Sequence, residues 1–206
     1  MYNTIIFDVD GTLIDTEKAV LGSLQKVLRT DYDKTVPLED LYFILGIPGT
    51  DSLPQLGIKD INRANERWNY FMKDFFHSIE VFSGIKDLLE TLKNRDIIQG
   101  IVTSKTNEEL INDFMPFGLS SYLTHTVCAD DTVRHKPHPE PLLKFLEISG
   151  ADPKKSIYIG DTIYDYECAR DAGIDFGLAL WGCKNHENIQ AKYKFERPQD
   201  ILGFLD

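Results

Sequence analysis

The stretch TIIFDVDGT at residues 4–12 joins a short apolar run to two carboxylates, Asp8 and Asp10. Two carboxylates about 4 Å apart repel by roughly 4 kcal/mol at an effective dielectric constant near 20. A divalent cation that prefers oxygen ligands offsets this repulsion best. The stretch therefore predicts a short buried strand that ends in a metal-assisted carboxylate site.

Further apolar runs along the chain have the length and character of buried strands. Together with the first run they predict strands at residues 4–7, 97–103, 125–128, 156–159 and 176–180. Helices are predicted between them, with inner faces formed by Ile85, Leu88, Leu89 and Leu92, by Leu110, Ile111 and Phe114, and by Leu142, Leu143, Phe145 and Leu146. This alternation predicts an α/β fold with a Rossmann-like parallel-sheet core and helices on both faces.

One long gap interrupts the alternation of strands and helices. About 90 residues separate the first two predicted strands, whereas a strand–helix–strand unit needs about 30. The gap carries helical patterns at residues 20–28, 41–45 and 62–79. Because so long a structureless loop is unusual in a domain, residues 15–81 are predicted to form a helical cap domain. The α/β core would then comprise residues 1–14 and 82–206, with hinges near Asp15 and residues 82–84.

Composition narrows the class of protein. The 206 residues include 22 basic and 33 acidic side chains, and the net charge of −11 argues against nucleic-acid binding. Cys128, Cys168 and Cys183 lack CxxC spacing and are interpreted as structural thiols of a reducing cytosol. No signal peptide is evident, and no apolar run approaches the roughly 20 residues that a membrane-spanning helix needs. A cytoplasmic protein without a membrane partner is predicted.

Four motifs follow, or lie close to, the ends of predicted strands. They are Asp8 with Asp10, Thr103 with Ser104 and Lys105, Lys136 within RHKPHP at 134–139, and Asp161 with Asp165 within GDTIYD at 160–165. Ligands bind outside the carboxyl ends of parallel strands, so the motifs are expected to converge. A nucleophilic carboxylate, a second carboxyl for proton transfer, a lysine, a hydroxyl and a metal are the parts that phosphoryl transfer needs.

In this order and spacing, the motifs resemble those of the haloacid dehalogenase superfamily of phosphohydrolases. The helical insertion after the first motif is similar to that of the phosphoglycolate-phosphatase-like branch, and the resemblance covers essentially the whole chain. It implies a Mg²⁺-dependent phosphatase that hydrolyses a small phosphorylated metabolite, such as a phosphoglycolate-like phosphomonoester. The reaction would pass through an aspartyl-phosphate.

The resemblance also implies a role for each matched residue. Asp8 would be the nucleophile and Asp10 the general acid and base. Asp8, Asp161 and the backbone carbonyl of Asp10 would hold Mg²⁺, with Asp165 supporting the metal shell or Lys136. The residues that would bind phosphate or substrate are Gly11, Thr12, Thr103, Ser104 and Lys136.

Asp10 and Thr12 bear on the alternatives. Dehalogenases of the superfamily lack an aspartate at the position of Asp10, because a halide leaves without protonation. A phosphosugar mutase of the β-phosphoglucomutase type keeps the aspartate pair and stays open, although valine often replaces Thr12 in that branch. A phospho-accepting signalling module also uses an aspartate, a metal, a hydroxyl and a lysine, but it is shorter and has no helical insertion.

The remaining polar residues near the motifs are given smaller roles. Lys105 is interpreted as a solvated or rim charge, and His135 and His138 as non-catalytic neighbours of Lys136. The loop at 46–50 carries no charge, which disfavours a substrate with a strongly anionic far end held there. The sequence leaves the metabolite open among phosphoglycolate, sugar phosphates, nucleotides and pyrophosphate. A monomer or weak homodimer is expected.

Overall fold

The computed structural model describes residues 1–205, and its strands form two sheets. In chain order the strands are β1 (Thr4–Phe7), β2 (Ile14–Asp15), β3 (Glu80–Val81), β4 (Ile98–Val102), β5 (His125–Val127), β6 (Ser156–Gly160), β7 (Asp175–Ala179) and β8 (Tyr193–Phe195). The larger sheet is parallel and has the order β5-β4-β1-β6-β7-β8. The smaller one pairs β2 with β3 in antiparallel orientation.

The larger sheet confirms the predicted α/β fold class. Strand β1 lies at its centre, where Phe7 is opposite Ile101 of β4 and Ile159 of β6. Ile5, Ile6 and Phe7 are fully buried, as expected for a strand whose two faces are both covered by helices. All five predicted strands occur, with ends within one residue of the predicted positions.

The sequence prediction misses β8 at one edge of the sheet. This strand has three residues and pairs with β7, where Leu178 is opposite Lys194. Phe195 is buried and Lys194 is exposed, so the strand has the alternation of a half-buried edge. Three residues are too few for such alternation to stand out from a loop.

Helices surround the sheet and fill the gap between β2 and β3. They are α1 (Glu17–Tyr32), α2 (Gly49–Ser52), α3 (Ile61–Met72), α4 (Ile85–Asn94), α5 (Asn107–Asp113), α6 (Glu140–Ser149), α7 (Ile163–Ala172) and α8 (Asp200–Gly203). The predicted stripe of α4 is fully buried. The predicted inner faces are wrong at Ile111 and Leu143, which are 61% and 48% exposed. Each follows a buried residue by one position, so it projects about 100° away around the helix.

All regular secondary structure between β2 and β3 is helical. Helices α1 and α3 pack together, and the Trp68 Nε1–H of α3 donates to Ser23 Oγ of α1 at 2.9 Å. The predicted helix over 62–79 is α3 followed by a 3₁₀ helix at Lys73–Ser78. The stripe at residues 41–45 belongs to a 3₁₀ helix at Glu39–Ile44 rather than to an α-helix.

The chain enters and leaves this helical segment through adjacent strands. Ile14 of β2 is opposite Val81 of β3, and the Phe82 N–H donates to the Leu13 carbonyl at 3.2 Å. Gly84 then adopts a positive φ of 88° immediately before α4. The two connections thus lie side by side, close to the positions where the sequence places the hinges.

The structure also describes the state of the cysteines and the character of the helices. Cys128 and Cys168 are buried free thiols, and Cys183 is half-buried and also free. None of the helices within residues 1–205 is long and apolar enough to cross a lipid bilayer.

Candidate active site

The carboxyl ends of three neighbouring strands bring the predicted motifs together. Asp8 directly follows β1, Thr103 follows β4, and Asp161 follows β6. Because β1 pairs with both of the other strands, these residues leave the sheet side by side. Lys136 arrives from the chain after β5, and its Nζ lies 2.9 Å from Asp8 Oδ1. The cluster therefore forms at the sheet edge where open α/β folds bind ligands.

The two carboxylate oxygens of Asp8 have different surroundings. Asp8 is 1% exposed; its Oδ1 contacts Lys136, whereas its Oδ2 has no hydrogen-bond partner among residues 1–205. Burial raises the pKa of Asp8 to about 7, and the charge of Lys136 opposes this rise. An unpaired buried oxygen is costly unless a group from outside the chain binds it. Asp8 Oδ2 therefore marks a position for a cation or substrate.

Lys136 is a buried cation held between two carboxylates. Its Nζ lies 2.9 Å from Asp8 Oδ1 and 2.7 Å from Asp165 Oδ1, and it donates to the Tyr158 hydroxyl at 3.1 Å. Burial lowers the pKa of this lysine, but the charges of Asp165 and Asp8 outweigh burial and raise the pKa above its ordinary value. Lys136 therefore stays charged at the site.

Asp165 connects Lys136 to the start of α7. Its Oδ2 accepts from the Thr162 N–H at 3.0 Å and from Thr162 Oγ1 at 2.5 Å, completing a capping box. Its Oδ1 faces Lys136 and the Tyr158 hydroxyl. Tyr158 is a site residue that the sequence prediction misses, since a tyrosine in a buried strand fits the core equally well.

Asp161 lies against the turn that follows Asp8. Thr12 Oγ1 donates to Asp161 Oδ1 at 3.2 Å. Gly11 has a φ of +74°, and a Cβ atom at Gly11 would stand 2.2 Å from Asp161 Oδ2. Glycine is therefore required at position 11 both for the backbone conformation and for the approach of this carboxylate. Burial raises the pKa of Asp161 well above its usual range, and the charges of Asp165 and Asp8 add to the rise.

The donor set suits a divalent metal ion. Asp8, Asp161 and Asp165 each offer a carboxylate oxygen, and these oxygens lie within 4.8 Å of one another. All three residues are buried, and Lys136 supplies only one positive charge against three carboxylates. Oxygen ligands and the unpaired Asp8 Oδ2 both fit Mg²⁺, which binds through a few carboxylates and keeps several waters.

Asp10 lies outside that carboxylate cluster and has partners of its own. Its Oδ1 accepts from Thr16 Oγ1 at 2.6 Å and lies 2.9 Å from Lys105 Nζ. Lys105 also contacts Asp113 Oδ2 at 2.7 Å. The interpretation of Lys105 as a solvated or rim charge is wrong: the residue is 7% exposed and lies between two carboxylates. The sequence feature that could have identified Lys105 as a site residue is its position in the same strand-end motif as Thr103.

The hydroxyls after β4 have different environments. Thr103 is buried, and its Oγ1 accepts from the Lys105 N–H at 3.2 Å. Ser104 Oγ donates to the Gly46 carbonyl at 2.7 Å and thereby joins the core to the helical segment. Neither histidine enters the carboxylate cluster: His135 Nδ1 lies 3.1 Å from Asp51 Oδ2, and His138 Nδ1 accepts from the Glu140 N–H.

A cavity of about 390 Å³ lies between the carboxylates and the helical segment. Asp8, Asp10, Ser104 and Lys105 line it from the core. The loop at 45–49 and side chains of α3 line it from the helical segment. Residues of α5 close a third side. The site can therefore present a nucleophilic carboxylate to a small molecule enclosed by both parts of the chain.

Comparison with known proteins agrees with this geometry. The family model for haloacid dehalogenase-like hydrolases matches residues 5–179. The chain is 27% identical over 207 aligned positions to the pyrophosphatase PpaX of Bacillus cereus strain AH820, covering 98% of this chain and 96% of PpaX. The PpaX of Anoxybacillus flavithermus is also 27% identical over the same shares.

Solved structures share the whole fold. A Lactobacillus plantarum protein described as a candidate phosphoglycolate phosphatase superposes with a TM-score of 0.91 at 31% identity, covering 98% of this chain and 99% of its own. A Pseudomonas syringae hydrolase gives a TM-score of 0.88 at 26% identity, covering 100% and 98% of the two chains. The arrangement of sheet and helical segment is therefore common to these proteins.

Proposed function

The chain belongs to the haloacid dehalogenase-like hydrolase family and is an enzyme of the phosphatase type, and on that premise we propose that it hydrolyses a small phosphomonoester. Asp8 is the proposed nucleophile, and the reaction passes through an aspartyl-phosphate. Phosphoglycolate, which the sequence resemblance suggests, is one member of this substrate class. The observation that carries the proposal is the position of Asp8, one oxygen against Lys136 and the other unpaired.

Asp8, Asp161 and the backbone carbonyl of Asp10 are proposed to hold Mg²⁺. Asp165 would support this shell through Lys136, because both of its oxygens already accept hydrogen bonds. The bound ion would supply positive charge that neutralises the phosphoryl oxygens.

In the first step, a carboxylate oxygen of Asp8 attacks phosphorus and the bond from phosphorus to the substrate's alcohol oxygen breaks. The proton that the departing alkoxide needs comes from the Asp10 carboxyl, leaving Asp10 ionised. Lys136 stays beside Asp8 and offsets the charge that gathers there. Thr103, the Thr12 backbone and the Gly11 backbone are proposed to orient the phosphoryl oxygens.

In the second step, Asp10 takes a proton from a water molecule as the water oxygen attacks phosphorus. The bond between phosphorus and the Asp8 oxygen breaks, which releases inorganic phosphate and restores the Asp8 carboxylate. Lys105 keeps Asp10 directed at the cavity during both proton transfers. One catalytic cycle thus returns both carboxyl groups to their starting states.

Asp8→Asn tests the proposal. We expect loss of inorganic phosphate release from a panel of phosphorylated metabolites, because an amide cannot form the acyl phosphate. The panel is run with Mg²⁺ and with EDTA, and far-ultraviolet circular dichroism checks that the variant is folded. Wild-type turnover in Asp8→Asn would contradict the nucleophile assignment. Isomerised product without phosphate release would contradict hydrolysis.

The division into domains is part of the same proposal. Residues 15–81 would act as a cap over a core of residues 1–14 and 82–206, and closure of the cap would exclude bulk water during phosphoryl transfer. Ser104 and Tyr164 contact the cap from the core, at the carbonyls of Gly46 and Phe43. A cytoplasmic location and a monomer or weak homodimer also stay predictions.

A further inference from the structure

We propose that the alcohol part of the substrate is an uncharged, hydroxyl-bearing ring with one apolar face, as in a monosaccharide or a nucleoside, rather than a second anionic group. This inference rests on the proposed phosphatase function and specifies the substrate of the same site. It follows from the charge, the hydrogen-bonding groups and the shape of the cavity beyond Asp8.

The cavity beyond Asp8 is poor in groups that bind anions. Glu66, Glu108, Glu109 and Asp113 line it in addition to the site aspartates. No arginine lines it among residues 1–205, although arginine is the side chain best suited to bind a carboxylate or a second phosphate. A substrate with a second anionic group would face these carboxylates.

The two lysines that line the cavity do not offset its negative charge. Lys105 is already placed between Asp10 and Asp113, at 2.9 and 2.7 Å. Lys73 has no ion pair among the residues described here, but it is an exposed side chain on the same cavity wall as Glu66. Glu66 and Glu108 are exposed as well, but together with the half-buried Glu109 they outnumber Lys73, so the lining keeps an excess of negative charge.

Three asparagine side chains in the cavity can bind uncharged polar groups of a substrate. Asn65, Asn69 and Asn112 line the cavity, and their amides make no hydrogen bond to another residue within 1–205. Gly49 makes room for one of them, since a Cβ there would stand 2.1 Å from Asn65 Oδ1. An amide both donates and accepts, which suits the hydroxyl groups of a ring.

Apolar side chains also line the cavity. They include Ile47 and Pro48 of the uncharged loop and Trp68, Met72 and Phe76 elsewhere in the helical segment. On α3, Asn65 and Asn69 alternate with Trp68 and Met72 at helical spacing, so amides and apolar groups lie side by side. Such a surface fits a molecule that has one apolar face and several hydroxyls. The volume of about 390 Å³ also exceeds the needs of a two-carbon alcohol part, which would leave most of the cavity to water.

The first experiment compares kcat/KM for phosphate release from a hexose monophosphate, a nucleoside monophosphate, phosphoglycolate and pyrophosphate. Para-nitrophenyl phosphate serves as a reporter of the chemistry. We expect at least one of the first two to exceed both phosphoglycolate and pyrophosphate by roughly tenfold or more, because like charges penalise the anionic substrates. Which of the two is preferred distinguishes a sugar from a nucleoside.

The other outcomes are distinguishable. A preference for phosphoglycolate or pyrophosphate would overturn this inference while leaving the phosphatase function intact. Equal rates for charged and uncharged substrates would do the same. Failure to hydrolyse any compound, para-nitrophenyl phosphate included, would overturn the proposed function and this inference with it.

Two pairs of variants test the assignment to particular residues. Glu66→Lys should raise kcat/KM for phosphoglycolate by about tenfold relative to the preferred substrate with an uncharged alcohol part. Glu39→Lys makes the same change on an exposed residue away from the cavity and should not have this effect. Asn69→Leu should lower the rate for that substrate relative to para-nitrophenyl phosphate, whereas Asn62→Leu, outside the cavity on the same helix, should not. Equal effects within either pair would overturn the inference.

Discussion

Asp10 is held in place by two neighbours that differ in kind. Thr16 donates a neutral hydrogen bond at 2.6 Å, and Lys105 supplies a full charge at 2.9 Å. Burial lowers the pKa of Lys105, but the charges of Asp10 and Asp113 raise it above its ordinary value, so the lysine stays protonated. A general acid that must aim its proton at one oxygen gains from such fixed partners. We therefore propose that Lys105 positions Asp10, the proposed general acid and base.

Replacing Lys105 with methionine removes the one cation that contacts both Asp10 and Asp113 within residues 1–205. Breaking a buried ion pair leaves an uncompensated charge, so we expect the free energy of unfolding to fall by about 3 kcal/mol. We also expect kcat to fall more than KM rises, because Asp10 loses its orientation while the substrate cavity keeps its shape. Urea unfolding and steady-state kinetics measure the two effects.

Two companion variants make this prediction specific. Lys86→Met alters an exposed lysine of α4 and should leave stability and kcat close to wild type. The double variant Lys105→Met with Asp113→Asn should recover part of the lost stability, because it removes one of the two stranded carboxylates. Wild-type kcat in Lys105→Met would show that Asp10 needs no such partner.

Some site residues could be predicted from sequence and others could not. Asp8, Lys136 and Asp161 each follow or lie near a strand end in a recognisable motif, and the structure brings them together. Asp113 and Tyr158 could not be found in this way. Asp113 is the last residue of a seven-residue helix, and Tyr158 lies within an apolar strand. The local sequence pattern therefore identifies neither of them as a site residue.

At the scale of elements, two loops meet closely beside the site. The loop after β7 lies over the turn at Gly11, where a Cβ atom on Gly182 would stand 1.7 Å from the Gly11 carbonyl oxygen. Trp181 Nε1–H donates to the Thr12 carbonyl at 2.9 Å from the same loop. Because Gly11 in turn contacts Asp161, the packing of this loop fixes the position of a proposed metal ligand.

Gly182→Ala should therefore destabilise the protein and lower its activity. The added methyl group meets backbone rather than a flexible side chain, and overpacking of this kind costs about 1–3 kcal/mol. Gly203→Ala is the matched control, because a Cβ there meets nothing within 4 Å and the residue closes α8. That change should be neutral or slightly stabilising. Equal melting temperatures for the two variants would contradict the contact.

The elements themselves were predictable to different degrees. Strands such as β6 carry a continuous apolar run, and buried runs of this kind are strong signals in a parallel sheet. The 3₁₀ helices at Glu39–Ile44 and Lys73–Ser78 carry helical spacing, so the sequence predicts helices whose precise hydrogen bonding it does not specify. The helix at Lys73–Ser78 packs against α1 and the one at Glu39–Ile44 against α2, and local sequence does not encode these contacts.

At the scale of the whole molecule, folding concentrates negative charge in the interior. The chain carries a net charge of −11, and its centre buries Asp8, Asp161 and Asp165 around Lys136, the one cation in contact with this cluster among residues 1–205. Burying carboxylates is costly unless cations compensate them. A divalent cation bound at this site would therefore stabilise the folded protein. Metal binding should consequently be linked to global unfolding.

Mg²⁺ should consequently raise the melting temperature of the folded protein. At a concentration one hundredfold above its dissociation constant, a ligand of the native state adds about 2.7 kcal/mol, which corresponds to about 5–10 °C for a chain of this size. Asp161→Asn removes one proposed ligand and should abolish most of this increment. The comparison is between melting temperatures with and without Mg²⁺ in each protein, because the substitution also alters the apoprotein.

Asp130→Asn provides the control for nonspecific binding of cations to acidic groups. Asp130 is exposed and belongs to a separate acidic cluster with Cys128 and Asp131. Its loss should leave the Mg²⁺ increment unchanged if the ion binds at Asp8 and Asp161. An increment that survives Asp161→Asn but disappears in Asp130→Asn would locate the cation at the surface cluster. The proposed nucleophile Asp8 would then have to react with a phosphate group while Lys136 is the one cation that contacts it within residues 1–205.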